Sequence, residues 1–454
     1  MDRKYIYHES TTSICSKCLE RIPAKIILKD EKVFLKKFCK IHREQEELFE
    51  EDIEYHLNKR SFDKPGTISK TQTEIKKGCP FDCGLCPNHD QHTCIGLIEV
   101  TNKCNLGCPT CYANSGKGEN LSLNKISEML DFFVESEGGE AEIFQISGGE
   151  PTTHPEIIKI IELARTKKIR YVMLNTNGIK IAEDEEFVKE LSKFKGKFEV
   201  YLQFDGFDSK TYSHLRGRDL SKLKIKAIEN LTKYEIPITL VTTIEKGIND
   251  NQIGKIIDFG IKTKCVRGIN FQPVAYFGRL KNIDTSKRIT LSGVINRIEE
   301  QASDLFQKGD IIPLPCNVER VAVTYMAKSE NGKFVPITRN VKVKSYLPLI
   351  DNTFAFDADK ILKNKAKEVF TGAGCCSCMK FIKDIKSIIP LSFALKSKED
   401  KIKYINENTF RISVTSFIDV YNFDLKSMQK ECVHIITPEL KKIPFSAYNM
   451  FYRK

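Results

Sequence analysis

Long apolar segments are missing from this sequence of 454 residues. No stretch reaches the roughly 18 consecutive apolar residues that indicate a transmembrane helix, so we expect none. The first residues, MDRKYIYHESTTS, also lack the apolar core of a secretory signal. These two absences predict a cytoplasmic protein.

Recognisable nucleic-acid-binding modules are missing too, and no dense block of Lys and Arg is interleaved with aromatic residues. We therefore expect no nucleic acid as a partner. The formal net charge is nevertheless +12. Basic residues scattered over a solvated surface account for such a charge, and the alternative is peripheral contact with the anionic inner face of a membrane.

Cysteine, by contrast, is abundant, with 16 residues. A chain of this length builds two or three domains with proper cores and needs no disulfides for stability. All but three of the cysteines fall in short groups, while Cys265, Cys316 and Cys432 stand alone. Because no export signal precedes them, this clustering indicates metal binding.

The first group lies in a small β domain predicted for residues 1–60. Two close ligand pairs flank a predicted β-hairpin over residues 24–38, and an acidic helix is predicted over residues 44–55. Such pairs are typical of a tetrahedral zinc or rubredoxin-like iron site with every position filled, and therefore of a structural or electron-carrying role. The four ligands are Cys15, Cys18, Cys39 and His42.

A second group follows in a linker over residues 61–94. Four thiolates complete a [4Fe–4S] cube with no open iron, so we predict an auxiliary cluster here. His89 and His92 lie in the same loop; they are either polar loop residues or substitutes for the fourth thiolate. The predicted ligands are Cys79, Cys83, Cys86 and Cys94.

The third group, CNLGCPTC, follows the first strand of the next segment and is itself followed by Tyr112. Three thiolates at this spacing bind three irons of a cube and leave the fourth iron open for a small molecule. Alone, the triplet also suits zinc or a ferredoxin-type cluster. The next strand-like run ends in the sequence GGEP, residues 148–151. The three cysteines are Cys104, Cys108 and Cys111.

Strand-like and helical stretches alternate from residue 95 to residue 308. This alternation is typical of a parallel α/β sheet, with strands predicted at 95–101, 142–147, 170–175, 198–204, 238–244 and 266–274. Active sites of such barrels lie where the strands end. Each polar residue there is either a cofactor contact or an ordinary strand-end residue. They are Glu150, Asn175, Asn177, Gln203, Asp205, Thr243, Asn249 and Gln272.

Residues 309–454 are predicted to form a C-terminal α+β iron–sulfur domain. A hairpin is expected from strands at 321–325 and 334–338. We predict a further [4Fe–4S] cluster in this domain, with Cys432 as an alternative ligand. The ligands of that cluster are predicted to be Cys316, Cys375, Cys376 and Cys378.

The cysteine triplet followed by GGEP resembles the radical SAM superfamily. The whole order, with GCPFDCGLCPNHDQHTC before it and GCCSC, TSFIDVYNFDL and ECVHIITPELKKIPFSAYNMFYR after it, resembles the archaeal tetraether lipid synthase family, some of whose members were once described as dihydropterin methylases. The resemblance implies a partial (β/α)6 TIM-type barrel, S-adenosyl-L-methionine (SAM), three [4Fe–4S] clusters and a rubredoxin-like mononuclear site. It also implies that Gly148, Gly149 and Glu150 bind the SAM amino group.

The implied reaction begins when an electron donor such as ferredoxin or flavodoxin reduces the open-iron cluster. SAM is then cleaved to methionine and a 5′-deoxyadenosyl radical, which abstracts hydrogen from an unactivated methyl group, so no acid–base residue is expected beyond the cofactor ligands. The implied substrate is an isoprenoid ether phospholipid, whose terminal carbons are coupled to convert diether to tetraether lipid. Two positions depart from that family, Ser446 and Glu431, where cysteine is expected or frequent.

Two other functions are compatible with the same clusters. A radical SAM methylase of a pterin or another soluble heterocycle would consume a second SAM and release S-adenosylhomocysteine. An iron–sulfur electron carrier would need neither GGEP nor an open iron, so the motifs disfavour it.

Overall fold

The computed structural model describes residues 4–67, 70–281, 283–329, 331–341 and 407–453, together with 343–344, 347, 352–354, 397, 400 and 404–405. Three of the predicted cluster ligands, Cys375, Cys376 and Cys378, lie outside the described residues.

A four-stranded antiparallel sheet forms the N-terminal part of the chain. Its strands are β1 (Ile6–Ile14), β2 (Arg21–Lys29), β3 (Lys32–Cys39) and β4 (Arg43–Glu50). The predicted hairpin is the β2–β3 pair. The acidic helix predicted over residues 44–55 is wrong in its first part, because β4 pairs with β3 and only α1 (Ile53–Lys59) is helical. Phe49 of β4 is buried against Val33 and Leu35, and this packing outweighs the helix preference of the glutamates.

Six parallel strands form the centre of the molecule, in the order β5-β6-β7-β8-β9-β10. They are β5 (Ile95–Thr101), β6 (Ala141–Gly148), β7 (Ile169–Thr176), β8 (Phe198–Gln203), β9 (Ile238–Ile244) and β10 (Val266–Pro273). These bounds agree closely with the six predicted strands, and the α/β class predicted from the sequence is confirmed.

Helices connect these strands and cover the outside of the sheet. They are α2 (Leu123–Ser136), α3 (Ile157–Thr166), α4 (Ile179–Glu183), α5 (Glu185–Leu191), α6 (Ser209–Arg216), α7 (Ser221–Lys233), α8 (Ile253–Lys262) and α9 (Leu291–Gln301). In α2, Ile126, Met129, Leu130 and Phe133 are buried on one face, as their spacing predicts. Burying each such side chain stabilises the fold by about 1.5–3 kcal/mol. None of the described helices is long and apolar enough to cross a membrane.

The last third of the chain adds strands to both edges of the barrel sheet. These strands are β11 (Ile312–Pro313), β12 (Val321–Lys328), β13 (Phe334–Pro336), β14 (Thr409–Thr415), β15 (Val433–Ile436) and β16 (Lys442–Pro444). The predicted hairpin of this segment is the β12–β13 pair. β14 runs parallel to β10 at one edge, and β15 runs parallel to β5 at the other. Strands from both sides of the predicted boundary at residue 308 therefore share one sheet of 12 strands.

Candidate active site and metal centres

The loop that follows β5 carries Cys104, Cys108 and Cys111 to the carboxyl end of the barrel strands. The backbone N–H of Cys104 donates to the carbonyl of Gly116 at 3.0 Å, which folds the loop back on itself. All three thiols line a cavity of about 210 Å³. Burial raises the pKa of the Cys104 thiol to about 11, so binding of a metal cluster must displace the proton from this sulfur.

Two glycines allow the end of β6 to approach this loop. Gly148 has a φ of +133°, and a Cβ on it would lie 2.3 Å from the carbonyl oxygen of Thr101. A Cβ on Gly149 would lie 2.2 Å from the carbonyl oxygen of Lys103. The backbone N–H groups of Gly149 and Glu150 donate to these same two carbonyls, each at 2.8 Å. Only glycine fits at both positions, so the motif fixes β6 against the cysteine loop.

Glu150 joins the ends of β6 and β7. One carboxylate oxygen accepts hydrogen bonds from the backbone and hydroxyl of Thr152, at 3.1 and 2.6 Å, and from the hydroxyl of Thr176 at 2.6 Å. The other accepts from the backbone N–H of Asn177 at 2.7 Å. The side chain is only 1% exposed and lines the cavity. A carboxylate held in this way offers a fixed acceptor to a positively charged amino group in the cavity.

The walls of the cavity combine amides with apolar rings, because alternate residues of each strand face the inside of a barrel. Among the residues predicted at the strand ends, Asn175, Asn177, Gln203, Thr243 and Gln272 line it. Tyr112, also predicted, does so as well, and Gln145 and Tyr201 add polar groups. The apolar part of the wall includes Leu97, Val241, Phe277, Phe417, Val433 and Phe445.

Asp205 and Asn249 were predicted to contact the cofactor, and the structure corrects this. Both are fully buried and neither lines the cavity. The Asp205 carboxylate is held by Arg216 through two hydrogen bonds of 2.7 Å, while the Asn249 amide donates to the carbonyls of Asp205 and Thr243 at 2.9 and 2.8 Å. Both side chains therefore lie behind the cavity wall. The sequence shows that these residues are polar and lie at strand ends, but it does not show which way their side chains point.

Arg216 and Arg279 are residues of the site that the sequence analysis missed. Arg216 lines the cavity at the end of α6 and lies beside Cys108, where burial raises the pKa of the thiol and the arginine charge partly offsets that rise. Arg279 donates to the carbonyl of Cys108 at 3.1 Å, and its backbone N–H donates to the carbonyl of Cys111 at 2.9 Å. Neither arginine lies in a recognised motif, and only contacts with residues distant in sequence show that both lie beside the cysteine loop.

The four N-terminal ligand atoms form a compact group, all within 4.8 Å of one another. The sulfurs of Cys18 and Cys39 are 3.8 Å apart, and Nδ1 of His42 lies 3.4 Å from Cys15 and 3.7 Å from Cys39. These distances fit four ligands around one ion, since Zn–S bonds of about 2.3 Å place tetrahedral sulfurs roughly 3.8 Å apart. Burial opposes ionisation of Cys15, but hydrogen bonds from the Cys18 and Lys17 backbones and from Gln45 outweigh it and lower its pKa to about 6.

Cys94 lies in a different group from the predicted one. Its sulfur lies within 4.8 Å of those of Cys316 and Cys432, rather than with Cys79, Cys83 and Cys86. The reason is the strand pairing: Cys94 precedes β5, Cys432 precedes β15, and the backbone N–H of Cys94 donates to the carbonyl of Cys432 at 2.9 Å. Burial raises the pKa of all three thiols well above the usual range, and a cluster that binds them as thiolates offsets this cost.

Cys79, Cys83 and Cys86 line a second, small cavity together with His89. The Tyr452 hydroxyl accepts from the backbone N–H of Cys83 at 2.9 Å, which ties this loop to the end of the chain. Burial raises the pKa of Cys79 to about 12 and lowers that of His89 to about 4. The imidazole is therefore neutral at neutral pH.

These donor sets fit the cofactors that the sequence implies. Three thiols that share a cavity with GGEP suit an open-iron cluster and SAM. Of the two further thiol groups, Cys94, Cys316 and Cys432 are fully buried, whereas Cys79 and Cys83 are half-buried beside the buried Cys86. Because Cys375, Cys376 and Cys378 lie outside the described residues, their predicted part in the third cluster stays a prediction.

Comparisons with known proteins agree with this assignment. The radical SAM superfamily profile matches residues 98–260, and the profile of an HMPTM N-terminal zinc ribbon domain matches residues 7–51. A 7,8-dihydro-6-hydroxymethylpterin dimethyltransferase of Methanocaldococcus jannaschii is 35% identical over 98% of this chain and 94% of its own length. A probable GTP 3′,8-cyclase of Pyrococcus abyssi is 31% identical over 37% of this chain and 53% of its own length.

Among solved structures, the similarity is weaker. Streptococcus suis SuiB bound to the precursor peptide SuiA is 20% identical, with a TM-score of 0.41, over 48% of this chain and 47% of SuiB. The match therefore spans about half of each chain.

The expectation that this protein couples isoprenoid lipid chains is overturned by these findings. A relative that matches nearly the whole chain is named as a pterin dimethyltransferase and not as a lipid synthase. The resemblance to the radical SAM superfamily, in contrast, is confirmed by a profile match that spans most of the barrel. The chain is a radical SAM enzyme and belongs to the family of the Methanocaldococcus jannaschii dimethyltransferase.

Proposed function

We propose that this enzyme is a radical SAM methyltransferase of a pterin or a closely related soluble heterocycle. The observation that carries the proposal is the full-length similarity to a 7,8-dihydro-6-hydroxymethylpterin dimethyltransferase, at 35% identity over 98% of the chain. The similarity includes the segments before and after the barrel, and these supply residues that line the cavity and the additional metal groups.

The lining of the cavity supports a flat, polar-edged substrate. The rings of Tyr112, Phe277, Phe417 and Phe445 offer apolar faces against which a fused heterocycle can stack. Gln145, Gln203 and Gln272 present amides, each of which both donates and accepts hydrogen bonds. The edge of a pterin carries ring nitrogens, an amino group and a carbonyl, which are the groups that amides pair with.

The chain's own residues have distinct tasks in this reaction. When bound, SAM on the reduced cluster supplies a 5′-deoxyadenosyl radical that abstracts hydrogen. Cys104, Cys108 and Cys111 would hold that cluster, and Glu150 would fix the amino group of SAM. Phe417 and Phe445 exclude water from one side of the cavity, which protects a carbon radical from side reactions.

The test is an anaerobic reaction of reconstituted enzyme with dithionite, 7,8-dihydro-6-hydroxymethylpterin and SAM that carries a deuterated methyl group. We expect mass spectrometry to find labelled methyl on the pterin together with 5′-deoxyadenosine and S-adenosylhomocysteine. In cells an electron donor such as ferredoxin or flavodoxin would replace dithionite.

The matched controls are two cysteine variants. Cys108→Ala should form no methylated pterin, while Cys265→Ala should behave like the parent because Cys265 belongs to none of the metal groups of the described residues. Unmodified pterin beside abundant 5′-deoxyadenosine would exclude this substrate class, and methylation without label from SAM would exclude SAM as the methyl donor.

A further inference from the structure

Because Cys94 lies with Cys316 and Cys432, the cluster predicted at Cys79, Cys83 and Cys86 has one ligand position without an assigned residue. The cavity lined by Cys79, Cys83 and Cys86 contains other polar side chains, Asp82 and His89 among them. Asp82 is already engaged, because one of its carboxylate oxygens accepts three backbone N–H groups of residues 76–78 at 2.5–2.7 Å. Among the described residues that line this cavity, His89 is the remaining one with a strong ligand atom.

The contacts of His89 indicate which of its two ring nitrogens carries the hydrogen. Its Nε2 lies 3.0 Å from the carbonyl oxygen of Glu431 and 3.1 Å from Nε2 of His434. A carbonyl oxygen only accepts, so Nε2 of His89 carries the hydrogen. His434 is compatible with this tautomer: its Nε2 shares the single N–H of His89 with the Glu431 carbonyl, while its Nδ1 pairs with the Thr93 hydroxyl at 2.9 Å.

A neutral imidazole has one N–H, so Nδ1 of His89 carries a lone pair. The backbone N–H of His89 donates to the carbonyl of Cys86 at 2.9 Å, and the residue lines the same cavity as the three thiols. Metal-binding histidines commonly donate their second N–H to a backbone carbonyl, which fixes the ring and raises its basicity. The contact with Glu431 has this form.

We propose that Nδ1 of His89 is the fourth ligand of the [4Fe–4S] cluster held by Cys79, Cys83 and Cys86. This ligation is independent of the substrate that the barrel accepts. It closes the cube, so the cluster has no open iron. Replacing a thiolate by a neutral imidazole removes a negative charge and raises the reduction potential, as histidine ligation does in Rieske centres.

Glu431 is the competing ligand, since its carboxylate is buried near the same loop. Both of its carboxylate oxygens accept from the backbone N–H of Ser446, each at 3.1 Å, and one also accepts from the Ser446 hydroxyl at 2.7 Å. Neither residue lines the cavity. Glu431 therefore contributes its backbone carbonyl to orient His89, and its side chain is committed to Ser446.

The experiment uses full-length protein reconstituted anaerobically without SAM, with histidine labelled with ¹⁵N, and pulsed electron paramagnetic resonance of the reduced clusters. We expect a strong ¹⁵N coupling in the parent protein and its loss in His89→Cys, which should keep the cluster and show a lower reduction potential. His89→Ala should also lose the strong coupling and, with three thiolates left, hold a cluster with one open iron.

Two control variants make the result specific. His92→Ala alters the same loop and should keep the strong coupling, as should Glu431→Gln, which retains the backbone carbonyl. A strong ¹⁵N coupling that persists in His89→Cys, or the absence of that coupling from the parent, would overturn the proposal. Absence of that coupling from the parent together with loss of the cluster in Glu431→Gln would assign the fourth position to the carboxylate.

Discussion

The sulfurs of Cys316 and Cys432 lie 3.9 Å apart although 116 positions separate them in the chain. Cys94 completes the group from the start of β5. The group lies at the amino ends of β5 and β15, whereas the cavity with Cys104 lies beyond the carboxyl ends of the barrel strands. The two sites thus occupy opposite ends of the same barrel.

This grouping predicts how cysteine variants combine. Cys316→Ala and Cys94→Ala should each lose about four irons per chain, because each removes a ligand of the same cluster. The Cys94/Cys316 double variant should lose no more than either single variant, since residues that act as one unit are not additive. Iron and sulfide analysis of the reconstituted proteins measures these losses.

The Cys83/Cys94 double variant provides the contrast. Its iron loss should be the sum of the two single losses, because the structure assigns these cysteines to separate clusters. Cys265→Ala should retain all iron. Additive iron loss in the Cys94/Cys316 variant, together with non-additive loss in the Cys83/Cys94 variant, would contradict this grouping. It would support the grouping of Cys94 with Cys79, Cys83 and Cys86 that the sequence predicts.

Cys94 illustrates what the sequence could and could not predict. Local spacing sufficed for the N-terminal site and for the cysteine triplet of the barrel, because each is built from residues on one or two adjacent loops. Cys94 is only eight positions from Cys86 in the printed sequence, yet the β5–β15 pairing carries it to Cys432. Pairing between strands that are distant in sequence leaves no local signal, so proximity in the chain was misleading.

The six barrel strands could be predicted because the signals that mark them are local in the sequence. Their apolar runs and the helices between them repeat in a regular order, and right-handed βα units allow few arrangements. Arg216 and β4 were missed because tertiary contacts decide them: Arg216 acts through its ion pair with Asp205, and β4 is a strand only because β3 lies beside it.

Arg216→Ala should destabilise the protein strongly. The Arg216 guanidinium makes two hydrogen bonds of 2.7 Å to Asp205, and both side chains are almost fully buried. Removing one partner leaves an uncompensated buried charge, which typically costs about 3–5 kcal/mol. Urea unfolding under anaerobic conditions, followed by circular dichroism, measures the loss.

Arg218→Ala is the matched control, because Arg218 lies two positions away and is exposed. It should change the free energy of unfolding by less than about 0.5 kcal/mol. Arg216→Lys should fall between the two variants, since lysine keeps the charge but not the two-pronged contact. Equal stabilities for Arg216→Ala and Arg218→Ala would show that the pair contributes little.

Gly148→Ala should impair SAM cleavage while leaving the cluster in place. Its Cβ would lie 2.3 Å from the carbonyl oxygen of Thr101, so the end of β6 must move away from the cysteine loop. A displacement of about 1 Å in a reacting site commonly costs about 100-fold in rate. Chromatographic measurement of 5′-deoxyadenosine, with iron content determined on the same sample, separates the two effects.

Gly138→Ala tests whether backbone strain alone explains such a loss. Gly138 also has a positive φ, +77°, but a Cβ there would meet no atom within 4 Å. It should cost about 1–2 kcal/mol in stability and leave 5′-deoxyadenosine formation unchanged. If both glycine variants lost activity equally, the close approach at Gly148 would not be the cause.

His56 should make the stability depend on pH. Its side chain is buried, and neither ring nitrogen has a hydrogen-bond partner among the described residues. Burial, reinforced by the charge of Lys59, lowers its pKa from 6.5 to about 2. The unfolded chain therefore binds a proton below pH 6.5 that the folded protein excludes, and the stabilising effect, fully present above pH 6.5, is lost as the pH falls.

Between pH 7.5 and 5.5 this linkage should remove about 1.4 kcal/mol of stability. His56→Phe and His56→Gln should both flatten the pH dependence by that amount, because neither residue titrates. They should differ in absolute stability, since phenylalanine can pack against Phe49, whereas glutamine keeps a buried polar group without partners. Unfolding curves of the three proteins at the two pH values distinguish these effects, and an undiminished pH dependence in both variants would show that another group titrates.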